Sequence, residues 1–173
     1  MPKTRIVPPA DEHAVSFLGF AGQYQKAANL VCDSDKTLGM PIYFMYAHAI
    51  ELALKAYLRA ADVPIVADKK RKHHKITELF RECQTLGLKV GPDDVTDMGN
   101  VVALLDGANE EQGLRYFRTK GAAYPDLSWT KDAVERLLQA IEPAVKRRGD
   151  ADGIVPGRAV KADFIFGKPR PKD

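Results

Sequence analysis

The sequence predicts an all-α protein, an up-and-down bundle of four to five helices with an irregular C-terminal tail. Apolar residues recur at helical spacing in five segments, and no stretch alternates as a β-strand does. The most apolar long segment is residues 40–62, where polar side chains are few and confined to one face. A helix that is apolar around most of its circumference is packed by neighbours on several sides, so this segment is expected to be the central helix.

Length and composition are those of one soluble domain. The 173 residues suffice for a single hydrophobic core plus a tail, and a net charge of +3 does not by itself imply nucleic acid. Cys32 and Cys83 lie far apart and outside any metal-ligand spacing, so buried reduced thiols are expected. With no signal sequence at the start and no membrane span of roughly 18 apolar residues, a cytoplasmic protein without membrane contact is expected.

The predicted organisation has three parts. Residues 1–10 carry three prolines and form an extended lead-in, residues 11–148 form the bundle, and residues 149–173 form a flexible tail. The first helix should run from about Asp11 to Cys32, because acidic residues favour the positive end of a helix dipole. Pro41 suits the first turn of the central helix, which should end near Asp62.

Three more helices are predicted after the central one. Ile76 begins the third, and Gly87 closes it in the position where a left-handed residue commonly ends a helix. The segment 91–94, Gly-Pro-Asp-Asp, opens the fourth, and Gly107 to Pro125 is less regular. Ser128 is the expected N-cap of the fifth, which Pro143 should loosen and Gly149 should stop.

The central helix carries a row of polar residues. His48, Glu51, Lys55 and Arg59 fall within about 60° of one another at helical spacing. One interpretation is an intrahelical Glu51–Lys55 pair on a partly solvated strip, of the kind that stabilises a helix surface. The other is that Glu51 and Lys55, joined by His48, line a crevice between helices, where bundles commonly bind ligands.

Residues 69–75, called the basic segment below, concentrate positive charge before the third helix. Four cations, Lys69, Lys70, Arg71 and Lys72, are followed by His73, His74 and Lys75. Cations near a helix N-terminus oppose its dipole, so this placement favours a use outside the fold. Contact with a phosphate backbone is the natural use, and a solvated loop is the alternative.

Basic and aromatic residues occur together in the segment LRYFRT at 114–119. Arg115 and Arg118 alternate there with Tyr116 and Phe117, and such groups can stack bases or clamp phosphates. Alternatively, the apolar members are core and the arginines pair with helix acids. Phosphate-loop, GxSxG and HExxH motifs do not occur in the sequence, and a metal site from His48, Glu51 and His74 is not expected.

Together these segments resemble the HEPN family (higher eukaryotes and prokaryotes nucleotide-binding). The resemblance lies in AHAIELALKAYL at 47–58, HKITEL at 74–79 and LRY at 114–116, and it covers roughly residues 11–148. It implies a bundle of four or five helices, often dimeric. Many members are metal-independent RNases with an R-x(4–6)-H motif in defence or toxin–antitoxin systems. That motif is absent here: Arg5 and His13 have seven residues between them, and Arg71 is too near His73 and His74.

The hypothesis is therefore a non-catalytic HEPN-like domain, with no cofactor or metal, that forms a homodimer and binds RNA, a nucleotide or a partner protein. The expected ligand-binding residues are His48, Glu51, Lys55, His74, Arg115 and Tyr116. The expected nucleic-acid contacts are Lys69, Lys70, Arg71, Lys72 and Lys75. One alternative is a divergent RNase that uses His74 or His48 as base and Arg115 or Arg118 as phosphate clamp. The other is a regulatory subunit that only binds protein.

Overall fold

The computed structural model describes residues 13–63, 75–91, 95–109, 113–114 and 122–154. In these ranges the chain forms five helices and no strand. They are α1 (Ala14–Ser34), α2 (Gly39–Ala60), α3 (Ile76–Thr85), α4 (Val95–Asn109) and α5 (Leu127–Asp152). The predicted all-α bundle is confirmed. Within the described ranges, none of the helices combines the length and hydropathy that a membrane span requires.

Helix α2 is the centre of the bundle, as its composition predicts. The other four helices all pack against it, and α1 and α5 also pack against each other. Ile42, Tyr46, Ile50 and Leu54 are fully buried along its length. Burial of such side chains stabilises a fold by about 1.5–3 kcal/mol each, so α2 contributes much of the hydrophobic free energy.

Local backbone geometry confirms some predicted helix ends. Gly87 has a φ of 93°, and the N–H of Leu88 donates to the carbonyl of Cys83 at 3.0 Å. This is the left-handed termination predicted for α3. Helix α2 ends in the same way at Asp62, whose φ of 61° is unusual for a residue with a side chain.

Two predicted ends of α5 are wrong. Asp126, and not Ser128, is the N-cap, since its carboxylate accepts from the N–H groups of Ser128 at 2.8 Å and Trp129 at 3.0 Å. The helix also continues past Gly149 and ends at Gly153, which has a φ of 67°. Gly149 is needed for packing: a Cβ there would lie 2.9 Å from Cγ2 of Val15 in α1.

The first helix begins later than predicted, at Ala14, with His13 as its N-cap; Asp11 lies outside the described residues. The imidazole Nδ1 of His13 accepts from the N–H of Val15 at 3.2 Å, so Nε2 carries the hydrogen that it donates to Asp152 at 3.0 Å. Arg148 Nε donates to the same carboxylate at 2.5 Å, and Arg148 Nη1 pairs with Asp62 at 2.6 Å. This network, which is buried except at Asp62, joins the start of α1 to the ends of α2 and α5.

Replacing Asp152 by alanine is expected to destabilise the bundle by about 3 kcal/mol. The change leaves the buried His13 without its acceptor and leaves Arg148 with Asp62 as its remaining ion-pair partner among the described residues, and breaking a buried pair is strongly destabilising. Urea unfolding measures the loss. Asp150→Ala removes an exposed carboxylate from the same helix end and should change stability by less than about 0.5 kcal/mol. Equal losses of stability in Asp152→Ala and Asp150→Ala would contradict a stabilising role for the His13–Asp152–Arg148 network.

Both cysteines are buried free thiols, as predicted. Cys83 Sγ lies 3.5 Å from the carbonyl of Leu54, where α3 meets α2. Burial raises the pKa of the Cys83 thiol to about 12, and the nearby Glu82 charge adds to the increase. The thiolate, which is the reactive form, is therefore nearly absent at neutral pH.

Cys83 in a Cys32→Ala background should resist thiol reagents at pH 8 until the protein unfolds. Because the folded-state pKa is raised above the unfolded value of about 8.5, ionisation of this thiol should also reduce stability progressively as pH rises above that value. Labelling with and without denaturant, followed by mass spectrometry, tests the first expectation. Rapid labelling of the folded protein would refute it.

Candidate functional site

The polar row of α2 opens into a small crevice, here called the α2 crevice. Its lining comes from three helices and the segment before Arg115: Phe44, Ala47, His48, Glu51, Ile76, Asn109 and Leu114. The enclosed volume is about 20 Å³. That is room for roughly one water molecule or one small polar group, since a single water needs at least about 10–15 Å³.

Aromatic rings surround His48 at this crevice. The ring of Tyr24 in α1 meets the imidazole edge-on, with centroids 4.4 Å apart and planes at 87°. Phe44, one turn earlier on α2, lies nearly parallel to the imidazole at 5°, with centroids 6.1 Å apart. Phe44 and Tyr24 are both partly exposed, so flat apolar surface borders the crevice and is accessible from solvent.

The carboxylate of Glu51 is the charged group of the α2 crevice. Its side chain is 12% exposed, and Oε1 accepts from Lys55 Nζ at 2.5 Å. Its Oε2 lies 3.8 Å from His48 Nδ1, an electrostatic contact that is too long for a hydrogen bond. The structure therefore combines parts of the two interpretations. Glu51 and Lys55 form an intrahelical pair, but their side chains are only 12% and 14% exposed, and Glu51 lines the crevice with His48 whereas Lys55 is not among the described lining residues.

Asn109, the last residue of α4, adds a second acceptor. Its Oδ1 is buried and has no hydrogen-bond partner among the described residues. Buried side-chain oxygens are nearly always satisfied in folded proteins, and one without a partner calls for a specific explanation. The Asn109 side chain also lines the α2 crevice beside Glu51, although this oxygen itself is inaccessible to solvent.

Asp106 fixes two of the crevice walls relative to each other. Its carboxylate accepts from the backbone N–H of Ile76 at 3.0 Å and of Thr77 at 2.9 Å, at the beginning of α3. A side chain of α4 thus caps α3, and both helices contribute to the lining, α3 with Ile76 and α4 with Asn109. The cap also places a negative charge at the positive end of the α3 dipole.

Comparison with known protein families shows which family this chain is related to. The family model described as "HEPN domain" matches residues 21–147, which is most of the chain. The chain belongs to the HEPN family. Comparisons with curated proteins and with solved structures return no significant match. Every residue that lines the α2 crevice falls inside the HEPN match.

The predicted HEPN site residues divide into three groups. His48 and Glu51 line the crevice, whereas Lys55 lies a turn further along α2 and reaches it only through Glu51. Lys75 is exposed directly before the crevice residue Ile76. A third group lies outside the described residues: Lys69, Lys70, Arg71, Lys72, His74, Arg115, Tyr116 and Arg118.

Sequence reasoning did not single out Phe44 and Asn109, which line this HEPN crevice, or Tyr24, which borders it. Phe44 carries a usable signal, because it precedes His48 by four residues and so shares its face. Asn109 follows the buried Leu105 at the same spacing, whereas nothing local singles out Tyr24. In the part of the chain that the structure describes, no three histidine, cysteine or acidic side chains converge as metal ligands do.

Asp106→Ala should lower stability by about 1–2 kcal/mol, because two backbone N–H groups of α3 lose their acceptor. The change should also widen the crevice, since α3 and α4 are no longer tied. Thermal unfolding measures the loss of stability. Faster hydrogen exchange of the Ile76 and Thr77 amides shows that the bonds between α3 and α4 are lost. The control, Asp132→Ala, removes an exposed carboxylate from α5 and should leave both unchanged.

Proposed function

We propose that this HEPN protein binds single-stranded RNA or a nucleotide at the α2 crevice and does not cleave it. The observation that carries the proposal is the lining of this crevice, which combines aromatic rings with the acceptors of Glu51 and Asn109. Sequence-selective RNA recognition uses this combination: an unpaired base stacks on aromatic side chains and forms hydrogen bonds along its edge.

The charges favour a base, and not a phosphate, in the crevice itself. Glu51 is anionic and Asn109 contributes an oxygen, so both repel phosphate and accept from N–H groups. The positive end of α3, a common phosphate site, is already occupied by Asp106. The crevice therefore suits a flat ring whose edge carries N–H donors.

Phosphate binding is proposed for the basic segment. Lys75, its last residue, is exposed and directly precedes Ile76 in the crevice wall. Lysine and arginine bind an RNA backbone by displacing counterions, without sequence preference. The two parts of the site then have separate tasks: the basic segment attracts the strand, and the crevice holds one base.

The proposal of binding without cleavage is supported by the chemistry of the same residues. The R-x(4–6)-H motif does not occur in the sequence, and the described residues that line the crevice include His48 and no arginine. A general base must reach its proton within hydrogen-bond distance and needs a partner that stabilises the charged transition state. His48 alone does not meet both requirements.

A homodimer in a defence or toxin–antitoxin context completes the proposal. HEPN domains are frequently dimeric, and several apolar side chains of this chain are exposed near the connection between α1 and α2: Leu30, Leu38 and Met40. Apolar surface of this kind is typical of interaction sites. Sedimentation equilibrium of the purified protein measures the assembly.

The experiment that tests binding removes the cations of the basic segment. Replacing Lys69, Lys70, Arg71 and Lys72 by glutamine should reduce affinity for a short single-stranded RNA at least tenfold at low salt, measured by fluorescence anisotropy. The slope of log affinity against log salt should also become shallower, by about 0.7 for each phosphate that the variant no longer neutralises. The matched control replaces four exposed lysines elsewhere: Lys26, Lys36, Lys89 and Lys146.

Equal decreases in affinity for the two quadruple variants would refute a localised site and leave only general charge attraction. Cleavage of the RNA without metal, abolished by His74→Ala, would instead establish the RNase alternative. Absence of RNA binding, together with a partner protein that co-purifies in fixed ratio, would establish the regulatory subunit.

A further inference from the structure

We infer that His13 is a pH-sensitive cap of α1: the neutral imidazole caps the helix, and the protonated imidazolium releases its first turn. The inference is independent of the α2 crevice and of RNA binding. It begins from the burial of His13, which is 1% exposed at the N-cap of α1. Histidine is the side chain that changes its charge between about pH 5 and 8, so a histidine with a structural task can make a fold respond to mild acid.

The two ring nitrogens of His13 have different tasks. Nδ1 accepts from the N–H of Val15 at 3.2 Å, which it can do only while it carries no hydrogen, and Nε2 donates to Asp152 at 3.0 Å. The backbone carbonyl of His13 is already used by the N–H groups of Ser16 and Phe17. The imidazole is therefore the acceptor that the Val15 N–H depends on, and the neutral ring matches both of its partners.

Protonation destroys this match on one side of the ring. The added proton goes to Nδ1, because Nε2 already carries a hydrogen. Two N–H groups, those of Nδ1 and of Val15, then point at each other across the 3.2 Å between their nitrogens. The bond from Nε2 to Asp152 is kept, since this nitrogen is a donor in both forms of the ring. Acid thus removes the cap of α1 without removing the hydrogen bond of His13 to α5.

The charged groups that face His13 from other described helices belong to one network. Asp152 of α5 accepts from Nε2 and favours the imidazolium, whereas Arg148, bonded to the same carboxylate, opposes it. Asp62, at the end of α2, pairs with Arg148 and reduces that opposition. The first turn of α1 carries no acidic residue that could offset a new positive charge at its N-terminus. Within the described residues, no carboxylate contacts Nδ1, so the lost acceptor is not replaced.

The turn that His13 caps is packed against the end of α5. Ala14, Val15 and Ser16 are buried, and a Cβ at Gly149 would lie 2.9 Å from Cγ2 of Val15. Without its cap, this turn should open by local unfolding while the core around α2 stays folded. Mild acid should therefore loosen the contact between the start of α1 and α5.

The experiment follows the imidazole and the Val15 amide in the same folded, isotope-labelled full chain. NMR of the ring nitrogens records the protonation of His13 between about pH 5 and 8, and hydrogen exchange records the protection of the amide. After correction for intrinsic exchange, protection of Val15 should decrease about fivefold over the pH range in which His13 gains its proton. The amide of Ile50, in the fully buried part of α2, is the internal reference and should keep its protection.

His13→Asn tests whether the imidazole is the origin of this response. Asparagine is an efficient N-cap whose side-chain oxygen accepts a hydrogen bond at every pH in this range, so the protection of Val15 should no longer depend on pH. The matched control is His73→Asn, which removes a histidine of the basic segment and should leave the response as it is in the wild type.

Three results would overturn the inference. The first is a His13 that stays neutral down to about pH 5. The second is a His13 that gains its proton while Val15 keeps its protection, and the third is a His13→Asn protein with the wild-type pH response. If His13→Asn does not fold, the wild-type titration decides alone, because the ring and amide signals are both measured without a variant.

Discussion

The structure depends on the burial of α2, which four helices surround and which nevertheless carries an ionised carboxylate. Such a helix can hold polar side chains only along the strip that its neighbours leave open, so His48, Glu51 and Lys55 share one face. Glu51, with little access to water, needs an adjacent cation, and Lys55 supplies it. The position of the crevice is therefore a consequence of the way the core is packed.

The Asp106 cap resolves an apparent conflict in the chain. The sequence places several cations directly before α3, and Lys75, the described one, is exposed at the N-cap, where a cation opposes the helix dipole. A carboxylate from α4 bonds to the first N–H groups of α3 and offsets that repulsion. The fold can thus tolerate cations that directly precede α3 in the sequence, while the cap ties α3 to α4.

The sequence predicted those features that depend on local spacing. The all-α class, the central helix, the face shared by His48 and Glu51, and the turn at Gly87 all follow from periodicity and backbone preference. Ser128 failed as a cap because Asp126 is an equally good cap two residues earlier, and Tyr43 donates to the Pro125 carbonyl beside it. Gly149 does not end α5, because glycine is needed there for close packing against Val15. Tyr24 could not be found, since it reaches His48 only through a tertiary contact between α1 and α2.

The unsatisfied oxygen of Asn109 argues that this part of the fold is shaped for a ligand. A leucine at that position would remove a buried acceptor that no described residue satisfies, and proteins commonly gain stability from such a change. The crevice keeps this polar side chain next to a carboxylate and two partly exposed rings. A strained or unsatisfied group of this kind is expected at functional sites, where it is satisfied only on binding. The same reasoning separates the crevice from the His13–Asp152–Arg148 network, whose bonds are already made and which serves stability.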